Sequence, residues 1–174
     1  MRLWGVLRAL AWLGLVVALA TVASLGSSAT VHADPSWGWP LEAPHTVVRN
    51  FDRPAQNWLP GHRGLDLKAH AGQTVVAAGS GVVSFAGTIA GKQVVAITHG
   101  SLRTTYEPVR PSVSVGDHVH IGDAIGVLSP GASHCATATT VRCLHWGLRR
   151  GSDYLNPLLL IHGRVRLLPI GPSR

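Results

Sequence analysis

Cysteine is nearly missing from this 174-residue chain: Cys135 and Cys143 are the only two, and none lies in the first 33 residues. A lipid-anchored lipoprotein would therefore lack its attachment point. Acidic residues are also scarce, 8 Asp and Glu against 15 Lys and Arg, and the formal charge is +7. A chain so basic suits an anionic polymer or surface as partner. Nucleic acid is set aside, because no helix-turn-helix and no stacking-aromatic pattern is present.

A long apolar run occurs only near the N-terminus, where Arg2 and Arg8 flank the start of the stretch from Ala9 to about Leu25. Small and polar residues follow, ending in Val31-His32-Ala33. This is the pattern of a secretory signal helix over residues 1–33, removed on export. The other reading is a retained span, since the run approaches the roughly 20 residues a membrane crossing needs. A membrane is a partner only in that case. Either way the remainder faces an oxidising exterior and is long enough for one domain with its own core.

The rest of the chain is organised in short extended pieces. Residues 34–60 are rich in Pro and Trp without helical periodicity and read as an extended lead-in. Within it, Trp37–Leu41 is expected to open the strand series, and Val47–Phe51 to form a second strand. Thr74–Ala78, Gly81–Ala86, Gln93–Thr98 and Arg103–Glu107 follow at short spacing, separated by Gly-containing turns such as Ala90-Gly91-Lys92. Between Ser112 and Leu128, branched residues alternate with Gly116-Asp117 and Gly122-Asp123, which read as two similar turns with their aspartates in structural roles. His118 and His120 fall in the same region and read as surface residues. The pattern predicts an all-β antiparallel sandwich or barrel. Trp146 and Tyr154 read as core or rim aromatics, and Arg149-Arg150 as a solvated face.

Chemistry concentrates at His62-Arg63-Gly64-Leu65-Asp66 and at Cys143-Leu144-His145. A histidine and a carboxylate four residues apart can share one zinc ion. In a fully extended strand their Cα atoms would stand roughly 13 Å apart, against metal bonds of about 2 Å, so a turn at Gly64 is expected. His145 adds a third ligand, and three protein ligands leave one coordination position open, as in catalytic zinc sites.

Gly61 through Ile161 resembles the lysostaphin-type (LytM-like) zinc metallopeptidases, secreted endopeptidases that cut peptide cross-bridges of bacterial cell walls. The matching segments are His62–Leu67, Gly72–Ala77, Gly81-Val82-Val83, His99-Gly100, Val115–Val119, Gly122–Gly126 and Leu144–Leu148, in the family's order and spacing. The resemblance implies one zinc ion held by His62, Asp66 and His145, and the compact β fold of that family, with its duplicated hybrid motif. It implies a secreted, wall-associated protein with peptidoglycan or another wall polymer as partner. Domain organisation follows: signal peptide 1–33, lead-in 34–60, LytM-like domain 61–162 and a basic, mobile tail 163–174.

Two departures bear on catalysis. The family's closing His-x-His has Cys143 at its first, catalytic histidine. Its Tyr-x-His-Leu segment reads Tyr106-Glu107-Pro108-Val109, with proline at the second. Glu107 and His134 are the candidates left for proton transfer. Two functions are therefore expected: a zinc metalloendopeptidase-like protein acting on wall peptides, or a catalytically degenerate module that binds the wall or regulates another wall hydrolase. Cys143 has three fates: a disulfide with Cys135, a fourth zinc ligand or a free reactive thiol. As the only pair in an oxidising compartment, the two cysteines point first to a disulfide. Its loop of about nine residues would stabilise the fold by roughly 2.5 kcal/mol.

Overall fold

Period-two burial, with one face apolar and the other polar, builds this molecule. A computed structural model describes residues 37–130, 135 and 142–162. The expected signal helix at 1–33, the tail at 163–174 and His134 lie outside the described residues. Among those described, no helix is long and apolar enough to cross a membrane.

The described residues form eleven strands and one helical turn, in order: β1 (Val47–Arg49), β2 (Gly64–Ala69), β3 (Thr74–Val76), β4 (Gly81–Ile89), β5 (Lys92–His99), β6 (Leu102–Glu107), β7 (Val109–Pro111), β8 (His118–Val119), β9 (Ala124–Leu128), β10 (Arg142–Arg150), β11 (Asp153–Leu155) and α1 (Leu158–Ile161). The larger sheet runs β1-β2-β10-β6-β5-β4-β8, with β11 added beside β10; the smaller runs β3-β9-β7. All these pairings are antiparallel. The expected all-β antiparallel architecture is the one observed.

One core joins both sheets. Leu65 and Leu67 of β2, Tyr106 of β6 and Leu144 and Trp146 of β10 pack in a single cluster with Val75 of β3, Val109 of β7 and Ile125 and Leu128 of β9. Leu65 and Leu67, and Leu144 and Trp146, alternate along β2 and β10, so the intervening residues of these strands, and the neighbours of Tyr106 on β6, project from the opposite face of the larger sheet. Trp146 is completely buried, which assigns it to the scaffold.

Turns reuse one device. Ser114 and His120 each present a carbonyl to the N–H three residues on, at 3.1 Å, and each receives Asp117 Oδ2 or Asp123 Oδ2 on its own N–H, at 2.8 and 2.7 Å. Gly116 and Gly122 supply the left-handed third position, with φ of 96° and 85°. His70 to Gln73 makes the same turn around Gly72, with the Gln73 amide oxygen in place of the carboxylate. The two aspartates are therefore structural, and His118 and His120 are exposed.

Sequence reading fails at Trp37–Leu41, which forms no strand. Pro40 has no N–H to continue a ladder, and the segment is instead held by single bonds, Gly38 N–H to the Ala78 carbonyl (2.8 Å) and Val76 N–H to the Pro40 carbonyl (3.0 Å). Leu158–Ile161 forms a helical turn packed against the core through Leu158, Leu160 and Ile161.

Candidate metal centre

Strand register assembles the site. On β10, His145 is the cross-strand partner of Asp66 on β2 and of Glu107 on β6, so these three side chains share the face away from the core. His62 lies just before β2, fixed by a two-way bridge with Asp52 through backbone bonds of 2.8 and 3.0 Å. It projects to the same side as Asp66, two strand periods away.

His62 Nε2 stands 3.1 Å from Asp66 Oδ1 and 3.1 Å from His145 Nδ1, and His145 Nδ1 stands 2.8 Å from Asp66 Oδ1. Tetrahedral zinc with bonds of about 2.05 Å has ligand–ligand edges of about 3.3 Å. The observed triangle is within a few tenths of an ångström of that. His62 Nδ1 donates to the Asn50 carbonyl at 2.7 Å, which leaves the Nε2 lone pair facing the other two donors, the usual outer support of a metal-binding imidazole. Asp66 is sealed from solvent and His62 nearly so. A carboxylate without water requires a cation or donors beside it. Two imidazoles and a carboxylate converging on one point fit a divalent metal.

Gly64 does not act as the expected turn. It opens β2 and is absent from the glycines with left-handed φ. With His62 Nε2 only 3.1 Å from Asp66 Oδ1 the backbone is shorter than the roughly 13 Å of a fully extended strand, and the strand begins only after Arg63. Glycine is required there for space: a Cβ on Gly64 would sit 2.6 Å from His145 Nε2. Beyond the centre, Gly147 pairs with Gly64 across the strands, and a Cβ there would strike the Thr105 hydroxyl.

The cysteines are joined, Cys135 to Cys143, with a Cα–Cα separation of 5.8 Å. Of the three fates named for Cys143, this geometry is that of a disulfide partner. Cys135 Sγ lies 3.8 Å from Asp66 Oδ2, so the disulfide roofs the buried carboxylate. Pro108 is buried and gives its carbonyl to Ser129 N–H at 2.9 Å.

Above the donor set opens a cleft of about 410 Å³ lined by His62, His145, Glu107, Thr105 and Tyr154, together with Arg49, Arg63 and Arg149. Glu107, one of the two residues named for proton transfer, lines it, with Lys92 Nζ at 3.8 Å. Arg149 and Tyr154, cross-strand partners on β10 and β11, were hidden from sequence reasoning. The expectation of a solvated Arg149 fails, because the residue is half-buried in the cleft wall. The available signal was its spacing: His145, Gly147 and Arg149 share one face of a strand.

Comparison with known proteins follows the same outline. Residues 60–157 match the model of Peptidase family M23. An uncharacterized protein of Mycobacterium tuberculosis is 47% identical over 154 residues, which takes in 84% of this chain and 61% of that protein. The chain thus spans less than two thirds of the length of this curated relative. Among solved structures, lysostaphin in solution is similar with a TM-score of 0.55 and 22% identity, over 67% of this chain and 50% of lysostaphin. A zinc-containing peptidase from Vibrio cholerae is similar with a TM-score of 0.56 and 19% identity, over 69% of this chain and 38% of that one.

Proposed function

This chain belongs to peptidase family M23, and from that membership we propose that it is an exported, wall-associated zinc metalloendopeptidase acting on peptidoglycan peptides. In this reading residues 1–33 direct export, 34–60 lead into the peptidase domain at 61–162, and 163–174 form a basic tail. The observation that carries it is the triangle of His62 Nε2, Asp66 Oδ1 and His145 Nδ1, with edges of 2.8 to 3.1 Å at the base of an open cleft. These three residues would hold zinc, which supplies polarisation of a scissile carbonyl and acidification of water.

The chain's own residues divide the remaining work. His62 is oriented by the Asn50 carbonyl, and Asp66 is shielded from water by the disulfide, so the donor set is held before any ligand arrives. Glu107 is the carboxylate on the cleft wall beside His145, and takes the proton-transfer role that Pro108 and the bonded Cys143 cannot fill. Such a group contributes typically about 100-fold to 10,000-fold.

A second reading has its own observation. With proline and a disulfide cysteine at the two positions where the lysostaphin-type pattern has catalytic histidines, the same scaffold serves as a module that binds the wall or regulates another wall hydrolase. Zinc content and release of new amino groups from purified peptidoglycan, measured on the oxidised full chain with and without chelator, separate the two. Chelator-sensitive release, lost in His145→Ala and reduced at least about 100-fold in Glu107→Gln with zinc retained, is expected of the peptidase. Wall binding with no release from the zinc-loaded protein would leave the binding module.

A further inference from the structure

The cleft carries three arginines and one carboxylate, and the arginines are not spent on internal ion pairs. Among the described residues neither Arg63 nor Arg149 has a carboxylate within 4 Å. Both guanidinium groups instead rest on one ring, Arg63 Cζ at 5.6 Å and Arg149 Cζ at 5.0 Å from the centroid of Tyr154. The ring face gives each guanidinium a weak cation–π attraction and no charge-neutralising partner. Arg149 Nε is also buried without a hydrogen-bond partner. A donor without water or acceptor is costly unless something arrives to accept from it.

The wall is built rather than loose. Arg63 donates to the carbonyls of Asn57 and Leu59 at 2.6 and 2.8 Å, and Asn57 Nδ2 donates to the Ser152 carbonyl at 2.9 Å, tying the approach to β2 to the β10–β11 turn. Arg49, at the cross-strand position beside Asp66, adds a third positive charge to the lining. Glu107, the one acidic residue in that lining, lies beside Lys92.

We infer that the Arg63–Tyr154–Arg149 wall is a carboxylate subsite: the cleft takes an acidic peptide, with a free carboxylate seated against this wall. Planar guanidinium groups match carboxylate geometry with paired donors. Arg149 is four residues from His145 along β10, about 13 Å at strand rise. The carboxylate therefore belongs within about three residues of the bond presented at the metal centre. This rests on the peptide reading above and narrows it to stem peptides with unmodified acidic groups.

The test is binding, read by titration calorimetry on the zinc-loaded, oxidised full chain. One probe is a synthetic wall stem peptide with free carboxylates, and the other is the same peptide with those carboxylates amidated. The free form is expected to bind at least about tenfold more tightly, as charge-assisted hydrogen bonds imply. Arg63→Gln and Arg149→Gln are each expected to remove most of that preference while leaving the amidated peptide's affinity in place. Arg110→Gln, an exposed charge on β7 of the smaller sheet, is expected to change neither. The wild-type comparison needs no variant, so a misfolded substitution does not spoil it. Equal affinity for both probes overturns the carboxylate subsite and leaves the peptide reading standing, whereas binding of neither removes the peptide reading and the subsite with it.

Discussion

A methyl group added at Gly64 would meet His145 Nε2 at 2.6 Å and the Trp146 carbonyl oxygen at 2.6 Å, and the backbone oxygen cannot yield. Gly64→Ala is therefore expected to push the imidazole off the donor triangle and weaken zinc binding at least about tenfold, as loss of ligand orientation typically does. Competition with a chromophoric chelator measures this; unchanged affinity would mean that the ring has room the structure does not show. A different histidine reports on acidity. His99 Nδ1 donates to the Ser80 carbonyl at 2.8 Å and Nε2 faces the Thr104 hydroxyl at 2.8 Å, which lies 2.9 Å from the buried Tyr106 hydroxyl. Burial lowers the His99 pKa, outweighing the raising effect of the Ser80 bond. Tyr106, wholly enclosed, is pushed up to about 12 and stays protonated. A histidine with a depressed folded pKa takes up protons more readily when unfolded. Its contribution to stability is full above the unfolded value near 6.5 and is lost as pH falls through the folded value. Thermal unfolding of the wild type should weaken from pH 7.5 to 5.5 more steeply than that of His99→Gln, and parallel profiles would remove His99 as the cause. At this scale the three donor residues were legible because histidine and aspartate at fixed spacing announce metal chemistry. The role of Gly64 was not, since only the ring of a residue 81 positions later makes its missing side chain necessary.

Elements follow from alternation, but their ends follow from turns. The β4–β5 hairpin closes through Ala90 and Gly91 alone, with φ of 48° and 77°. Two left-handed residues are what a type I′ turn requires. Glycine accepts that conformation freely, while alanine carries a steric cost of roughly 1–2 kcal/mol. Ala90→Asn is expected to raise the unfolding free energy by about 0.5–1 kcal/mol, measured by urea denaturation, without altering zinc content. A destabilised variant would refute the turn assignment. Strands β4, β5 and β6 were readable because branched and aromatic residues recur between Gly signals. The three-residue strand β7, Val109–Pro111, was not, because its pairing with β9 depends on a partner whose position only the fold supplies. The lead-in failed for the opposite reason: tryptophans suggested a strand, and Pro40 prevented its ladder.

On the scale of the molecule, a strand near the middle of the larger sheet is linked to Cys135 by a disulfide. Removing the link by Cys135→Ser with Cys143→Ser is expected to lower stability by roughly 2–3 kcal/mol in the chain-entropy account, seen as a lower urea midpoint. An unchanged midpoint would mean that the disulfide adds nothing to stability. The β class and the family were legible from ordered Gly-Asp turns and the two histidine segments together. The cationic wall was not, because Arg63, Arg149 and Tyr154 meet only through the β10–β11 register and the Asn57–Ser152 tie.

Strand β10 presents Cys143, His145 and Arg149 on one face and Leu144, Trp146 and Leu148 on the other. It thereby acts as a common ruler for the disulfide, the candidate metal centre and the arginine wall of the cleft. A slip of one residue would turn all three into the core at once and expose the apolar set. Metal content in a preparation of this protein is thus also a measure of register. On the proposed zinc reading, chains that load zinc would be those in which β10 has already found its place between β2 and β6.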